Sequence, residues 1–276
     1  MKHTGWRKPT PGLGIAEQLA QAGEQIAVPK TRAFVAVKRV GAHIGLKAGD
    51  MMLLDTLGAF TQAQDWEEGQ RPIVWASNAY LMEQTGFSLS ALKRHARRLA
   101  ETGVISFQDS PNGKRWGRRD ADGRIIEAYG FDLSPLSARV EEFEELHAEL
   151  QAERELCQRL KRQITVARRM IRARIEAAVS SALRGPWTQL TGLFQELLDR
   201  LPRRHEASEQ LARLLTWFKE LQERVEAAYL KATEVVQPVE NTPETKKQVT
   251  KKIQEMNPRE VTSDPHILLT NQLNPV

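Results

Sequence analysis

At 276 residues, with 41% hydrophobic and 27% charged side chains, the chain has the balance of one or two globular domains. Its one cysteine, Cys157, excludes an internal disulfide and cannot alone build a structural zinc site, so a cytoplasmic location is expected. The formal charge of +5 is concentrated: between residues 93 and 119 eight Lys and Arg stand against Glu101 and Asp109, giving +6 there and −1 over the remainder, and local positive charge points to a polyanionic partner.

Residues 1–28 are rich in Gly, Pro, Gln and Ala, with a short helical pattern over residues 15–22, and read as a flexible N-terminal arm. Phe34, Val35, Val37 and Val40 recur next. Met51, Leu53, Leu54, Leu57 and Phe60 then follow helical spacing, with Asp50 as the expected N-cap. That apolar run is cut by Asp55, and no apolar stretch follows the N-terminus, so neither a membrane span nor a signal peptide is expected. Residues 72–75 alternate as a short strand would.

Ser77 is the expected cap of a helix that runs to about Gln84 and stops at Gly86, where the left-handed conformation costs glycine little. Phe87 follows as an apolar plug, and Ser88 caps the next helix. There Leu89, Leu92, Ala96 and Leu99 share one face, leaving Ser90, Lys93, Arg94, Arg97 and Arg98 outward. His95 reads as a helix-face filler. Gly103 ends this helix, and residues 104–107 are strand-like. Asn112-Gly113 and Asp122-Gly123 are turn signals, so a strand over residues 115–119 is expected to pair with residues 124–131. Helix, turn, basic helix and basic hairpin form the plan of a winged helix-turn-helix, assigned to residues 29–135.

Ser134-Pro135 is a good start for a long helix. Positions 143, 150, 157, 164 and 171 hold Phe, Leu, Cys, Ile and Ile, while 146, 153, 160 and 167 hold Leu, Glu, Leu and Ala. This pattern permits a coiled-coil seam and self-association through residues 143–171. Acidic residues come first on this helix, and residues 158–174 carry seven Lys and Arg with no acid, an order that suits the helix dipole. Three readings stay open: a solvated face with a core stripe, self-pairing, or a second DNA-contacting surface over residues 159–174. Gly185-Pro186 breaks the helix and Pro202 interrupts the next. A third is expected over residues 205–235, completing a helical region over 136–235. Residues 236–276 read as a disordered linker or tail. The fold class is therefore mainly α with a small β-wing.

A recognition helix enters the major groove with its N-terminal half, where short polar and then long basic side chains are needed. Ser88, Ser90, Lys93, Arg94, Arg97 and Arg98 supply them. Lys114, Arg115, Arg118 and Arg119 would follow the adjacent backbone or reach the minor groove. The plainer alternative is a solvated helix end that complements the dipole, with Trp75 and Trp116 as packing groups. No catalytic residue, metal ligand or cofactor is assigned: there is no GKS or GKT phosphate loop, and His3, His43, His95, His147, His205 and His266 are scattered.

The string DSPNGKRWGRRDADGRIIEAYGFDLSPLSARVEE, residues 109–142, resembles the RepC-type replication initiators of alphaproteobacterial repABC plasmids. Those carry DSPNGKRYxxRD and then GxIxxAxGFDLSPL after a winged helix-turn-helix, and TGFSLSALKRHARRLAETGVI matches the style of their recognition helix. The resemblance extends from about residue 10 to the DPHILLTNQLNP segment. It implies sequence-specific binding of double-stranded DNA at a plasmid origin, recruitment of host replication proteins and no enzyme activity. Members of the family continue into a further C-terminal domain, which is expected to be lacking here. A winged-helix transcriptional regulator, a helical interaction or scaffold protein, and binding of RNA are the alternatives.

Overall fold

The computed structural model describes residues 9–202 and 207–234. The expectations for residues 1–8 of the arm and for the tail beyond 235 lie outside them. The described part of the arm is not an arm. Helix α1 (Pro11–Glu24) is capped by Thr10, whose hydroxyl accepts from the Leu13 N–H at 3.4 Å. It docks through Gly12, Ala16, Ala20 and Gly23, which recur every three or four residues; Ala16 and Ala20 are fully buried. A Cβ on Gly23 would stand 2.0 Å from the Ser134 carbonyl oxygen, and one on Gly12 would stand 2.8 Å from that of Glu101. The helix packs by close backbone approach at these small residues, with Leu13 packed against the core beside them and Leu19 over Gly103.

Helices α2 (Lys30–Val40) and α3 (Ala48–Ala59) follow, then a single 3₁₀ turn over Ala63–Trp66. Asp50 is not the N-cap of α3. The helix begins two residues earlier, and Asp50 sits in its first turn, accepting the Lys47 N–H at 2.7 Å. Strand β1 (Ile73–Val74), helices α4 (Asn78–Thr85) and α5 (Leu89–Glu101), and strands β2 (Ser106–Gln108), β3 (Trp116–Arg119) and β4 (Ile125–Asp132) come next. Strand β4 organises the sheet. Its first half pairs antiparallel with β3, and its last residues pair with β1 on one side and β2 on the other, with Phe131 opposite both Val74 and Phe107. Val104 and Ile105, expected in a strand, are buried residues of the turn that precedes β2.

Ser134 does not cap a long helix either. It is buried, donating its N–H and hydroxyl to Asp132 Oδ1 at 2.9 and 2.6 Å, while Arg71 closes the other side of that carboxylate. A short helix α6 (Ser134–Ala138) results, and α7 (Val140–Ser180) starts only after a break at Arg139. Leu53, Leu54, Leu57, Leu81, Leu92, Leu99, Leu133, Leu136 and Phe143 fill the first core, which therefore joins α1 to α6, the sheet and the start of α7. Each such side chain contributes about 1.5–3 kcal/mol on burial.

The second core lies further along α7. From Leu160 onward its buried residues are Leu160, Ile164, Ala167, Ile171, Ile175 and Ala178, covered by α8 (Trp187–Asp199) and α9 (Ser208–Glu234). Glu153 accepts the Ser208 N–H at 2.8 Å and Arg174 donates to Glu226 at 2.9 Å, so α7 and α9 run in the same direction and α8 returns between them. Of the seam that permits self-association, Phe143 and the positions from Leu160 to Ile171 are thus covered within the chain, while Leu150 and Glu153 are not buried. Heptad spacing identifies a face to bury and is silent about what buries it. Between Phe143 and Leu160 no residue of α7 is buried.

Candidate nucleic-acid interface

Local chemistry fixes the α4–α5 unit. The Ser77 hydroxyl accepts the Tyr80 N–H at 3.1 Å, and Gly86 takes φ 67° while returning its N–H to the Met82 carbonyl at 2.9 Å. Ser88 then accepts the Ala91 N–H at 3.3 Å, opening α5. Leu92, Ala96, Leu99 and Ala100 are its buried face. Leu89 is not part of it: at the first helical position it lies beyond the edge of the core and stays 40% exposed. Ser90, Lys93, Arg94 and Arg97 line the outer face at helical spacing, with Ser88 and Ser90 hydroxyls 3.0 Å apart at its start. Arg97 also reaches Glu101 at 2.7 Å along the surface. Lys93 and Arg94 form no ion pair among the described residues.

Arg98 does not face outward with Arg97. It donates to the fully buried Asp50 at 3.0 Å, next to the His95 ring, whose Nδ1 lies 2.7 Å from the same carboxylate. Burial alone would raise the Asp50 carboxyl; bonds from His95, the Lys47 N–H and Arg98 outweigh it and hold the group below its ordinary range. Phe87 stacks on His95 with centroids 4.7 Å apart. Gly49 lies beneath the same ring, where a Cβ would meet it at 2.6 Å. His95, read as a filler, is therefore a bonded strut between α3 and α5. The signal for it was Asp50 itself, a carboxylate in the first turn of a mostly apolar helix whose other acid, Asp55, is exposed and paired with Lys38.

The hairpin forms with Gly113 at φ 69° and Gly123 at φ 80°, and the register slips between Arg118 and Arg119. That irregularity sorts the arginines. Arg118 and Lys114 are exposed, whereas Arg119 turns in to Asp65 at 2.6 and 2.8 Å and lies over the Trp75 ring. Arg115 donates to Asn78 Oδ1 at 2.6 Å and covers Phe131, tying the hairpin to the first turn of α4. Trp116 packs against Tyr129 across the hairpin at 5.2 Å. Of the ten candidate residues the fold thus presents Ser88, Ser90, Lys93, Arg94, Arg97, Lys114 and Arg118 to solvent. Arg98, Arg115 and Arg119 are engaged in holding the presenting elements together.

Residues 7–179, well over half the chain, match the family described as replication protein C N-terminal domain. The chain belongs to that family. The match takes in α1 and ends one residue short of the end of α7, so the docked N-terminal helix lies inside the family's domain. Within the replication protein C family the chain is 36% identical over 161 residues to a relative from Rhizobium rhizogenes, covering 58% of this chain and 40% of that one. It is 31% identical over 201 residues to a replication protein C of Sinorhizobium fredii, covering 72% of this chain and 50% of the relative. The chain thus spans half or less of the length of these curated relatives. No solved structure matches it. Among the described residues no helix is long and apolar enough to cross a membrane.

Proposed function

We propose that the chain is the DNA-reading part of a plasmid replication initiator, in which residues 29–135, with α1 docked on them, act as a winged helix-turn-helix on double-stranded origin DNA. One observation carries this reading: Ser88, Ser90, Lys93, Arg94 and Arg97 form a single exposed row that begins at the N-terminus of α5. Short hydroxyls permit close approach to base edges, and an arginine one turn later can grip guanine bidentately, at about 1–3 kcal/mol of discrimination per good pair. Lysine in such a row serves as a point charge on phosphate. The hairpin, with Lys114 and Arg118 outward, follows the backbone beside the groove. Membership of a replication protein family supports the origin as the target. The role is binding and assembly with host replication proteins, with no reaction catalysed by this chain.

The test is a footprint of the chain on its own plasmid DNA, beside gel shifts with random duplex. Protection at the origin is expected; protection of promoters alone would replace an initiator with a regulator. Lys93→Ala, Arg94→Ala and Arg97→Ala together should abolish discrimination between origin and random duplex, and undiminished discrimination would remove α5 from the reading role. If six to ten phosphates are engaged, affinity falls by roughly 10³ to 10⁵ from 50 to 200 mM salt.

A further inference from the structure

From Lys161 to Arg172, α7 carries a stripe of cations that the fold does not use. Leu160, Ile164, Ala167 and Ile171 face the second core. Lys161, Arg162, Arg169 and Arg172 gather on the side turned away from it, because 161 and 172, like 162 and 169, return to one side of a helix. All four are exposed, and none forms an ion pair or hydrogen bond among the described residues. Arg168 stands at the edge of the stripe, its Nε buried without an acceptor. Around the α4–α5 unit Arg97, Arg98, Arg119 and Arg124 each have a carboxylate, and the outward Arg94 and Arg118 resemble the stripe in forming no ion pair among the described residues.

Two ordinary explanations fail for this stripe. Basic residues complement a helix dipole only within its last turn, and the last turn of α7 holds none. Nor does the stripe stabilise the helix through mixed charge: residues 158–174 contain no acid, and Glu176, four residues past Arg172, forms no ion pair with it. Arg159–Arg162, Arg168–Arg172 and Arg169–Arg172 are like-charged neighbours at three or four residues, an arrangement that weakens a helix. A polyanion that neutralised them would reverse that cost. The stripe is about 16 Å long, and a duplex places a phosphate every 3.4 Å along each strand, so four cations fit a short run of backbone.

We propose that this face of α7 is a second contact surface for duplex DNA, sequence-independent, which grips phosphates outside the site read by α5. It rests on the reading of the chain as a DNA binder and adds to it a separate set of phosphate partners. Such a surface adds affinity and salt dependence and leaves base discrimination to α5.

The experiment uses the whole 276-residue chain. Lys161→Gln, Arg162→Gln, Arg169→Gln and Arg172→Gln are combined, helix content is checked by circular dichroism, and binding to a long random-sequence duplex is titrated over a range of salt. The slope of log K against log salt should fall in magnitude by about three to four, close to 0.9 for each phosphate no longer neutralised. The ratio of origin to random affinity should stay unchanged. Should the fourfold variant lose helix content, the pair Lys161→Gln and Arg162→Gln should lower the slope by about two. An unchanged slope in a folded variant overturns the proposal while leaving the α5 reading intact. Loss of discrimination in the α7 variant would overturn its sequence-independence, and tighter binding of single-stranded RNA than duplex would overturn the choice of partner. If α5 substitutions leave discrimination untouched while α7 substitutions lower the slope, the recognition-helix reading falls and this one stands.

Discussion

Asp50 accepts from Lys47, His95 and Arg98, and through them one buried carboxylate fixes the angle at which α5 leaves the core. Asp50→Ala would leave Arg98 facing a buried void with no counter-charge, and breaking such a pair costs on the order of 3 kcal/mol. A urea midpoint within error of the parent would refute that role. The pH dependence has a definite sign. Because the folded carboxyl is held below its ordinary value of about 4, its stabilisation is complete above that pH and is lost as pH falls through the folded value. Unfolding free energy measured down to about pH 3 should therefore fall more steeply in the parent than in Asp50→Ala. Parallel acid limbs would show that the carboxylate contributes nothing. Lys93 and Arg94, by contrast, form no ion pair among the described residues, so their removal should leave the unfolding free energy within about 0.5 kcal/mol of the parent while affecting DNA binding.

At the scale of elements, α1 gives a test in which two similar substitutions should act in opposite directions. Gly23→Ala forces a Cβ against the Ser134 carbonyl, and overpacking of this kind costs about 1–3 kcal/mol. Gly14→Ala, on the solvent side of the same helix, meets nothing within 4 Å and should stabilise by about 0.5–1 kcal/mol. Thermal melts of the two variants decide it: a loose arm would leave both at the parent temperature. The same helix shows why part of the fold was legible from sequence and part was not. Ser77, Gly86, Ser88, Gly113 and Gly123 announce caps and turns because their chemistry is settled within four residues. Arg98 with Asp50 and Arg119 with Asp65 meet across 48 and 54 residues, which no local pattern encodes. For α1 the usual signal was weak, a short helical pattern over residues 15–22, because small side chains make most of the contact. On α5 the outward row was legible from spacing alone; which of its arginines turn inward was decided by carboxylates elsewhere in the fold.

Two separate apolar cores share α7, one closed by Phe143 and the other beginning at Leu160. With no buried side chain on α7 between them, little couples their unfolding, and a single two-state transition is not expected. Phe218→Ala removes a fully buried ring from the second core at a cost of about 3–5 kcal/mol. Calorimetry should show one transition lowered by that change and the other unmoved. A single transition that shifts as a whole would show the two cores to be one cooperative unit. The family match ends at residue 179, one residue before α7 does, so α8 and α9 complete the second core from beyond the matched region.

The uncovered middle of α7 also acts as a phase-setting shaft. A continuous helix turns 100° and advances about 1.5 Å per residue, so the bearing of the Lys161–Arg172 stripe relative to α5 is encoded in the number of residues between the cores. Two extra residues near 151, where nothing is packed, would swing the stripe by about 200° while lengthening the shaft by only about 3 Å. Seven would restore its bearing to within about 20° and carry it about 10 Å further along, close to three base pairs of duplex. If both surfaces hold one DNA, the two-residue insertion should reduce the salt slope as the glutamine variant does. The seven-residue insertion should retain the slope and lengthen the footprint, making the reach of the molecule a quantity adjustable one heptad at a time.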